Sequence, residues 1–155
     1  MLFLLFRLGK DRYALEAGQI GEVLPLLEVK ALPSAPPGVA GVINYHGVPV
    51  PVVDLSVLAL GRPAESRLST RIVLTHYAGD DGRPHWLGLI AEYATETIRL
   101  DAAAFASSGV TSSAAPYLGP VAPDPRGMIQ RIDPAQILPP PIREALFQPL
   151  AESLA

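Results

Sequence analysis

Few residues of this 155-residue chain combine a reactive type with a spacing that chemistry could use. His76 and His85 flank the acidic pair Asp80 and Asp81, and imidazole and carboxylate groups are common metal ligands. Solvated turn residues explain this pattern without a metal, so we expect none there. The chain has no cysteine, which excludes thiol nucleophiles and thiolate metal sites. It also lacks a phosphate-binding glycine loop, a dinucleotide fingerprint and a nucleophile elbow. The sequence therefore predicts neither catalysis nor a cofactor.

The charge pattern argues against nucleic acid and membrane as partners. Twelve basic against 15 acidic residues give a net charge of −3, and the basic residues do not cluster with aromatic ones. The longest stretch without a charged residue, 31–53, contains five prolines and three glycines. A helix broken so often could not satisfy its backbone hydrogen bonds in lipid. We expect a cytoplasmic protein without direct membrane insertion.

Turn-forming residues predict the class of fold. Seventeen prolines and 13 glycines leave little room for long helices and favour short strands. Residues 71–77 have the clearest strand composition, while 86–90 and 96–100 read as two further strands. Apolar residues recur every four positions from Ile142 and predict a C-terminal helix over 142–155. The sequence predicts a mainly β protein with short helical turns and this terminal helix.

The two halves of the chain resemble each other. Residues 13–26 align with 87–100 without a gap, and 46–58 align with 126–138 after one single-residue slip. Identities are few, so chance similarity remains an alternative. The repeat predicts two small β-barrels packed together. We expect one domain over 1–155, with one barrel at roughly 13–60 and the other at 71–138, partly intertwined.

Four segments in chain order resemble the CheW-like domain, the coupling module of bacterial chemosensory systems; they are residues 6–9 with 13–15, 21–23, 32–33 with 36–41, and 41–55. The resemblance extends from Leu2 to about Leu138. It implies two SH3-like barrels around a shared core and no enzymatic activity. It also implies two partners, the cytoplasmic tip of a methyl-accepting chemoreceptor and the regulatory domain of a CheA-type histidine kinase. The adaptor would be recruited to membrane-bound receptor arrays.

Several residues match motif positions of this family. Gly41, Gly47 and Asp54 match positions for which a structural role is the better interpretation, and Asn44 belongs to the same motif. Glu22 matches an exposed glutamate that faces an arginine in the family. Here His46 replaces that arginine, and we hypothesise a weaker, pH-sensitive Glu22–His46 pair at the receptor-facing edge. The replacement suggests a specialised, Wsp-type surface-sensing pathway.

Four apolar or small side chains match groove and kinase-contact positions of the family: Ile20, Val29, Val42 and Thr97. Each fits a core position equally well. Ile20 would share a strand face with Glu22 if this segment is regularly extended. The alternative to an adaptor is a double β-barrel that binds a small ligand or nucleic acid. An adaptor predicts an exposed apolar patch, whereas a ligand-binding protein or enzyme predicts a concave pocket with converging polar groups.

Overall fold

Strands dominate this computed structural model, which describes residues 1–79, 82–110 and 115–147, with only the backbone for Ala145. Its strands are β1 Leu2–Leu8, β2 Asp11–Glu16, β3 Ile20–Pro25, β4 Val39–Tyr45, β5 Val48–Asp54, β6 Arg71–Ala78, β7 Pro84–Arg99, β8 Leu118–Asp124 and β9 Gly127–Ile132. Its helices are α1 Leu55–Leu60 and α2 Pro140–Ala145, with 3-10 turns at Ala17–Gln19, Ala102–Ala104 and Pro134–Gln136. The predicted fold class, mainly β with short helices, is confirmed. Among the described residues, no helix is long and apolar enough to cross a membrane.

Strand β7 joins the two barrels. It is one strand of 16 residues where two separate strands were expected. Its first half pairs with β6 and, in parallel, with β5, while its second half pairs with β1. Between the halves, Tyr93 has a φ of 55° and the register with β1 shifts. A bulge therefore lets one continuous strand bend from one barrel into the other.

Both barrels have the same pairing order. In the first barrel, β1 lies between β7 and β2, β2 pairs in parallel with β9, and β9 pairs with β8. In the second barrel, β6 lies between β3 and β7, β7 pairs in parallel with β5, and β5 pairs with β4. By position in this order, β2 corresponds to the first half of β7, and β3 corresponds to its second half. The sequence repeat aligns the same segments. The common order supports the repeat, and its origin in a duplication stays a prediction.

The main core lies between the barrels. Alternate residues of β1 point to opposite sides, so that Leu4 and Phe6 enter this shared core while Phe3 and Leu5 fill the first barrel. Strand β6 divides its residues in the same way, with Val73 in the shared core and residues 72 and 74 inside the second barrel. Strands buried on both faces need nearly continuous apolar sequences, which explains the apolar runs 2–6 in β1 and 72–74 in β6.

The C-terminal helix is shorter than the predicted 142–155. Helix α2 begins at Pro140, since proline suits the first helical turn, and it ends at Ala145 because Leu146 is extended. Ile142 is buried in the shared core, and Leu146 packs against it. Residues 148–155 of the predicted helix lie outside the described residues.

Candidate functional site

Glu22 and Tyr45 meet at one side of the second barrel. Glu22 is exposed in the middle of β3, and Tyr45 is half-buried at the end of β4. The interaction of the Tyr45 hydroxyl with the Glu22 carboxylate raises the pKa of Tyr45 above 10.0, its ordinary value. Burial and the negative charge of Glu22 act in the same direction.

Trp86 lies beside this pair because residue 21 is glycine. A Cβ at Gly21 would approach the Trp86 indole closer than 3.0 Å, so the missing side chain makes room for the ring. The indole contacts His76 on β6, with ring centroids 4.5 Å apart, and meets Tyr45 edge-on at 6.0 Å. The His46 ring also contacts Tyr45, with ring centroids 4.5 Å apart. We call His46, Tyr45, Trp86 and His76 the aromatic row.

The β4–β5 turn presents His46 to solvent. His46 and Gly47 have φ values of 51° and 84°, and the Asn44 side-chain oxygen accepts a 2.7 Å hydrogen bond from the Gly47 amide. Asn44 and Gly47 thus shape the turn, and His46 is exposed at its tip. Among the described residues, Glu22 and His46 form no ion pair within 4.0 Å, and Glu22 acts on the pKa of the neighbouring Tyr45 instead.

A bulge separates Ile20 from Glu22. The register of β3 on β6 shifts between these two residues, so strict alternation fails at Gly21. Ile20 packs against the shared core together with Val23. Glu22 lies on the other face, the one from which Leu24 packs into the second barrel. The condition for a common face, a regularly extended segment, is not met.

Gly41 allows the segment around Lys30 to pass close to β4. Lys30 and Val42 exchange two backbone hydrogen bonds of 2.9 Å, and a Cβ at Gly41 would lie closer than 3.0 Å to the Lys30 carbonyl oxygen. Gly41 also has a φ of 147°. Val29, next to Lys30, packs half-buried against the second barrel's core, and Val42 is also half-buried.

Asp54 caps α1 from within the fold. Its Oδ1 accepts hydrogen bonds from the amides of Ser56 at 2.9 Å and Val57 at 3.4 Å. Its Oδ2 accepts a 3.0 Å bond from the Ala64 amide, and the residue is only 8% exposed. Both carboxylate oxygens therefore accept hydrogen bonds from backbone amides, which is a structural role.

Thr97 lies apart from the other candidates. It is exposed on the second half of β7, opposite Leu4, and so belongs to the first barrel. Among the seven candidate binding residues, the exposed ones thus lie on two surfaces, with Thr97 on the first barrel and Glu22, Asn44 and His46 on the second, while the other three are half-buried. Sequence reasoning missed Tyr45 and Trp86, although Tyr45 precedes His46 in a motif that had been recognised.

The histidines near the Asp80 and Asp81 turn do not face each other. His76 pairs with Trp86, and Tyr77 pairs with His85, so the two histidines point to opposite faces of the hairpin. Asp80 and Asp81 themselves lie outside the described residues. In the part of the chain that the structure describes, no three potential ligand side chains gather for a metal.

A cavity of about 310 Å³ opens near the shared core, and its lining is mostly apolar side chains and prolines, with Leu58, Tyr117 and Ile137 among them. Gln136 and Arg143 contribute polar side chains to the same lining.

Comparison with known proteins agrees with this architecture. The CheW-like domain model matches residues 2–140. No curated protein matches the chain significantly. The chain is similar in structure to the scaffolding protein TtCheW from Thermoanaerobacter tengcongensis, with a TM-score of 0.77 and 21% identity over 89% of this chain and 87% of that one. That likeness confirms the predicted fold of two packed SH3-like barrels. Because the domain model spans all nine described strands and most of the shared core, the chain belongs to the family of CheW-like domains.

Proposed function

We propose that this chain is a non-enzymatic adaptor that links the cytoplasmic tip of a chemoreceptor to the regulatory domain of a CheA-type histidine kinase. The observation that carries the proposal is the CheW-like match over residues 2–140. The protein would act in the cytoplasm, at receptor arrays on the membrane, through protein contacts alone.

The aromatic row supports a binding role for the second barrel. Tyr45 and Trp86 are half-buried, while His46 and His76 are exposed. Val48 pairs directly with Tyr45 and is 51% exposed, which adds apolar surface to the row. Aromatic side chains suit interfaces because they provide large contact area with few rotatable bonds. We assign the receptor tip to this edge, with Glu22 as its exposed carboxylate.

An adaptor must hold two proteins at once, and the two barrels provide separate surfaces. Thr97 lies on the first barrel, whereas Glu22 and His46 lie on the second. A kinase domain bound at one surface would leave the other accessible to the receptor. The alternative, a small-ligand-binding double barrel, has less support, because the family match over residues 2–140 favours an adaptor.

Isothermal titration against the two partners tests the proposal. We expect binding to the kinase regulatory domain and to a receptor-tip fragment from the same organism, each with a Kd of about 1 μM or lower. Val48→Glu places a charge beside Tyr45 and should weaken receptor binding at least tenfold. The matched control is Leu68→Glu, the same type of change at a residue 99% exposed outside the strands. If the protein fails to bind one or both partners, the adaptor role is refuted. The family assignment would remain intact.

A further inference from the structure

Two arginines lie side by side on the first barrel. Strands β1 and β2 place Arg7 directly opposite Arg12, so both side chains emerge from the same face of the sheet. This is the face from which Phe3 and Leu5 fill the first barrel. Like charges in directly opposed positions repel each other and destabilise a sheet. The arrangement calls for compensating negative charge.

The protein supplies only part of that compensation. Arg12 is 9% exposed, and its Nη2 donates to Asp124 at 2.6 Å and to the Gly127 carbonyl at 3.4 Å. Its Nη1 is buried and has no hydrogen-bond partner among the described residues. Arg7 has no carboxylate within 4.0 Å in the described part of the chain, and its guanidinium lies 4.7 Å from the Tyr93 ring centroid.

A small cavity opens between these groups where β7 bulges. Its volume is about 90 Å³, and its lining includes Arg7, Arg12, Arg126, Tyr93, Thr95 and Glu96. Arg126 is bonded to Glu96 at 3.2 Å. Asp124 is thus paired with Arg12 and Glu96 with Arg126, while Glu92, the residue opposite Arg7 on β7, is paired with Arg62 at 3.5 Å. We call this space the arginine cavity.

We propose that the arginine cavity binds one phosphate-sized oxyanion. The cavity is far below the roughly 300–1,000 Å³ of pockets for drug-sized ligands, so a nucleotide would not fit. Arginine forks match the oxygens of phosphate, and Arg7 has a fork that no carboxylate occupies. The Thr95 hydroxyl adds a neutral donor. The site is in the first barrel and does not depend on the adaptor role.

The test is an NMR titration of the full chain with inorganic phosphate against sodium chloride at equal ionic strength. We expect saturable shifts of the Arg7 and Thr95 amides, with a Kd of about 1 mM or lower. Arg7→Gln should weaken phosphate binding about tenfold because one charge-assisted fork is lost. Arg99→Gln is the matched control, since Arg99 is exposed on the same strand as Thr95 but does not line the cavity.

Three results would overturn the proposal. Chemical shift changes that do not saturate, or that sodium chloride reproduces, would indicate ionic screening instead of phosphate binding. Equal effects of Arg7→Gln and Arg99→Gln would exclude a local site. Tighter binding of acetate than of phosphate would assign the cavity to a carboxylate. If Arg7→Gln fails to fold, Arg126→Gln must show the same loss of phosphate binding. Arg126 lines the cavity from the connection between β8 and β9.

Discussion

Replacing Asp54 with alanine should destabilise the protein through three backbone amides at once. The carboxylate accepts bonds from the amides of Ser56, Val57 and Ala64, and Ser56 is fully buried. Loss of an N-cap costs about 1 kcal/mol. The bond to Ala64 and the buried amide left without a partner add about 1 kcal/mol each. We therefore expect the free energy of unfolding to fall by about 3 kcal/mol.

Thermal and urea denaturation followed by circular dichroism would measure this loss. For a chain of this size, about 3 kcal/mol corresponds to a decrease in Tm of roughly 6–12 °C. Asp101→Ala is the matched control, because Asp101 caps the Ala102–Ala104 turn through a single exposed bond of 3.1 Å. We expect that control to lose about 1 kcal/mol or less. An Asp54→Ala loss no larger than that of Asp101→Ala would refute the reasoning.

Three further changes test the described geometry. Glu22→Gln should lower the pKa of Tyr45 towards its ordinary value, because the carboxylate that raises it is removed; phenolate absorbance during a pH titration measures this. Asp124→Asn should destabilise the protein near neutral pH, and this loss of stability should shrink as the pH falls below 3.8, the ordinary pKa of aspartate. The hydrogen bond from Arg12 lowers the Asp124 pKa, so its contribution is present above the unfolded pKa and is lost as pH falls through the folded value. Gly41→Ala should cost about 3 kcal/mol and Gly47→Ala about 1 kcal/mol, since both have positive φ but only Gly41 has backbone in the way.

Each of these changes has a control or a contrary outcome. Glu28→Gln removes an exposed charge close along the chain and should leave the Tyr45 titration unchanged. A stability difference between wild type and Asp124→Asn that does not shrink as the pH falls progressively below 3.8 would contradict the Arg12 contact. Equal losses for Gly41→Ala and Gly47→Ala would show that the approach of the Lys30 carbonyl is unimportant.

Local patterns predicted the elements well where one residue type decides the backbone. The β-branched run at 71–77 is β6, and the turn at Gly79 joins it to β7. Asp54 and Asp133 each cap a helical turn after a strand, which agrees with the alignment of 46–58 with 126–138. Strand β7 was predicted as two strands, since local composition cannot distinguish a bulge at Tyr93 from a break between strands.

Long-range register decided the contacts at the candidate site. His46 was expected to meet Glu22, but the bulge at Gly21 and the pairing of β3 with β6 bring the carboxylate to Tyr45. Trp86 joins the row because Gly21 lacks a side chain, although the two residues are distant in sequence. Arg7 and Arg12 are only five residues apart, yet the cavity beside them needs Arg126 and Tyr93.

The sequence by itself determined the class of fold, the repeated arrangement and the family, because turn residues, apolar alternation and a motif are local properties that persist in the folded chain. The tertiary structure alone decided which side chains meet. A strand bulge shifts the alternation of side chains, so that every residue beyond it points to the opposite face of the sheet. Strand pairing joins segments that are distant in the chain. The aromatic row and the arginine cavity are products of those two effects.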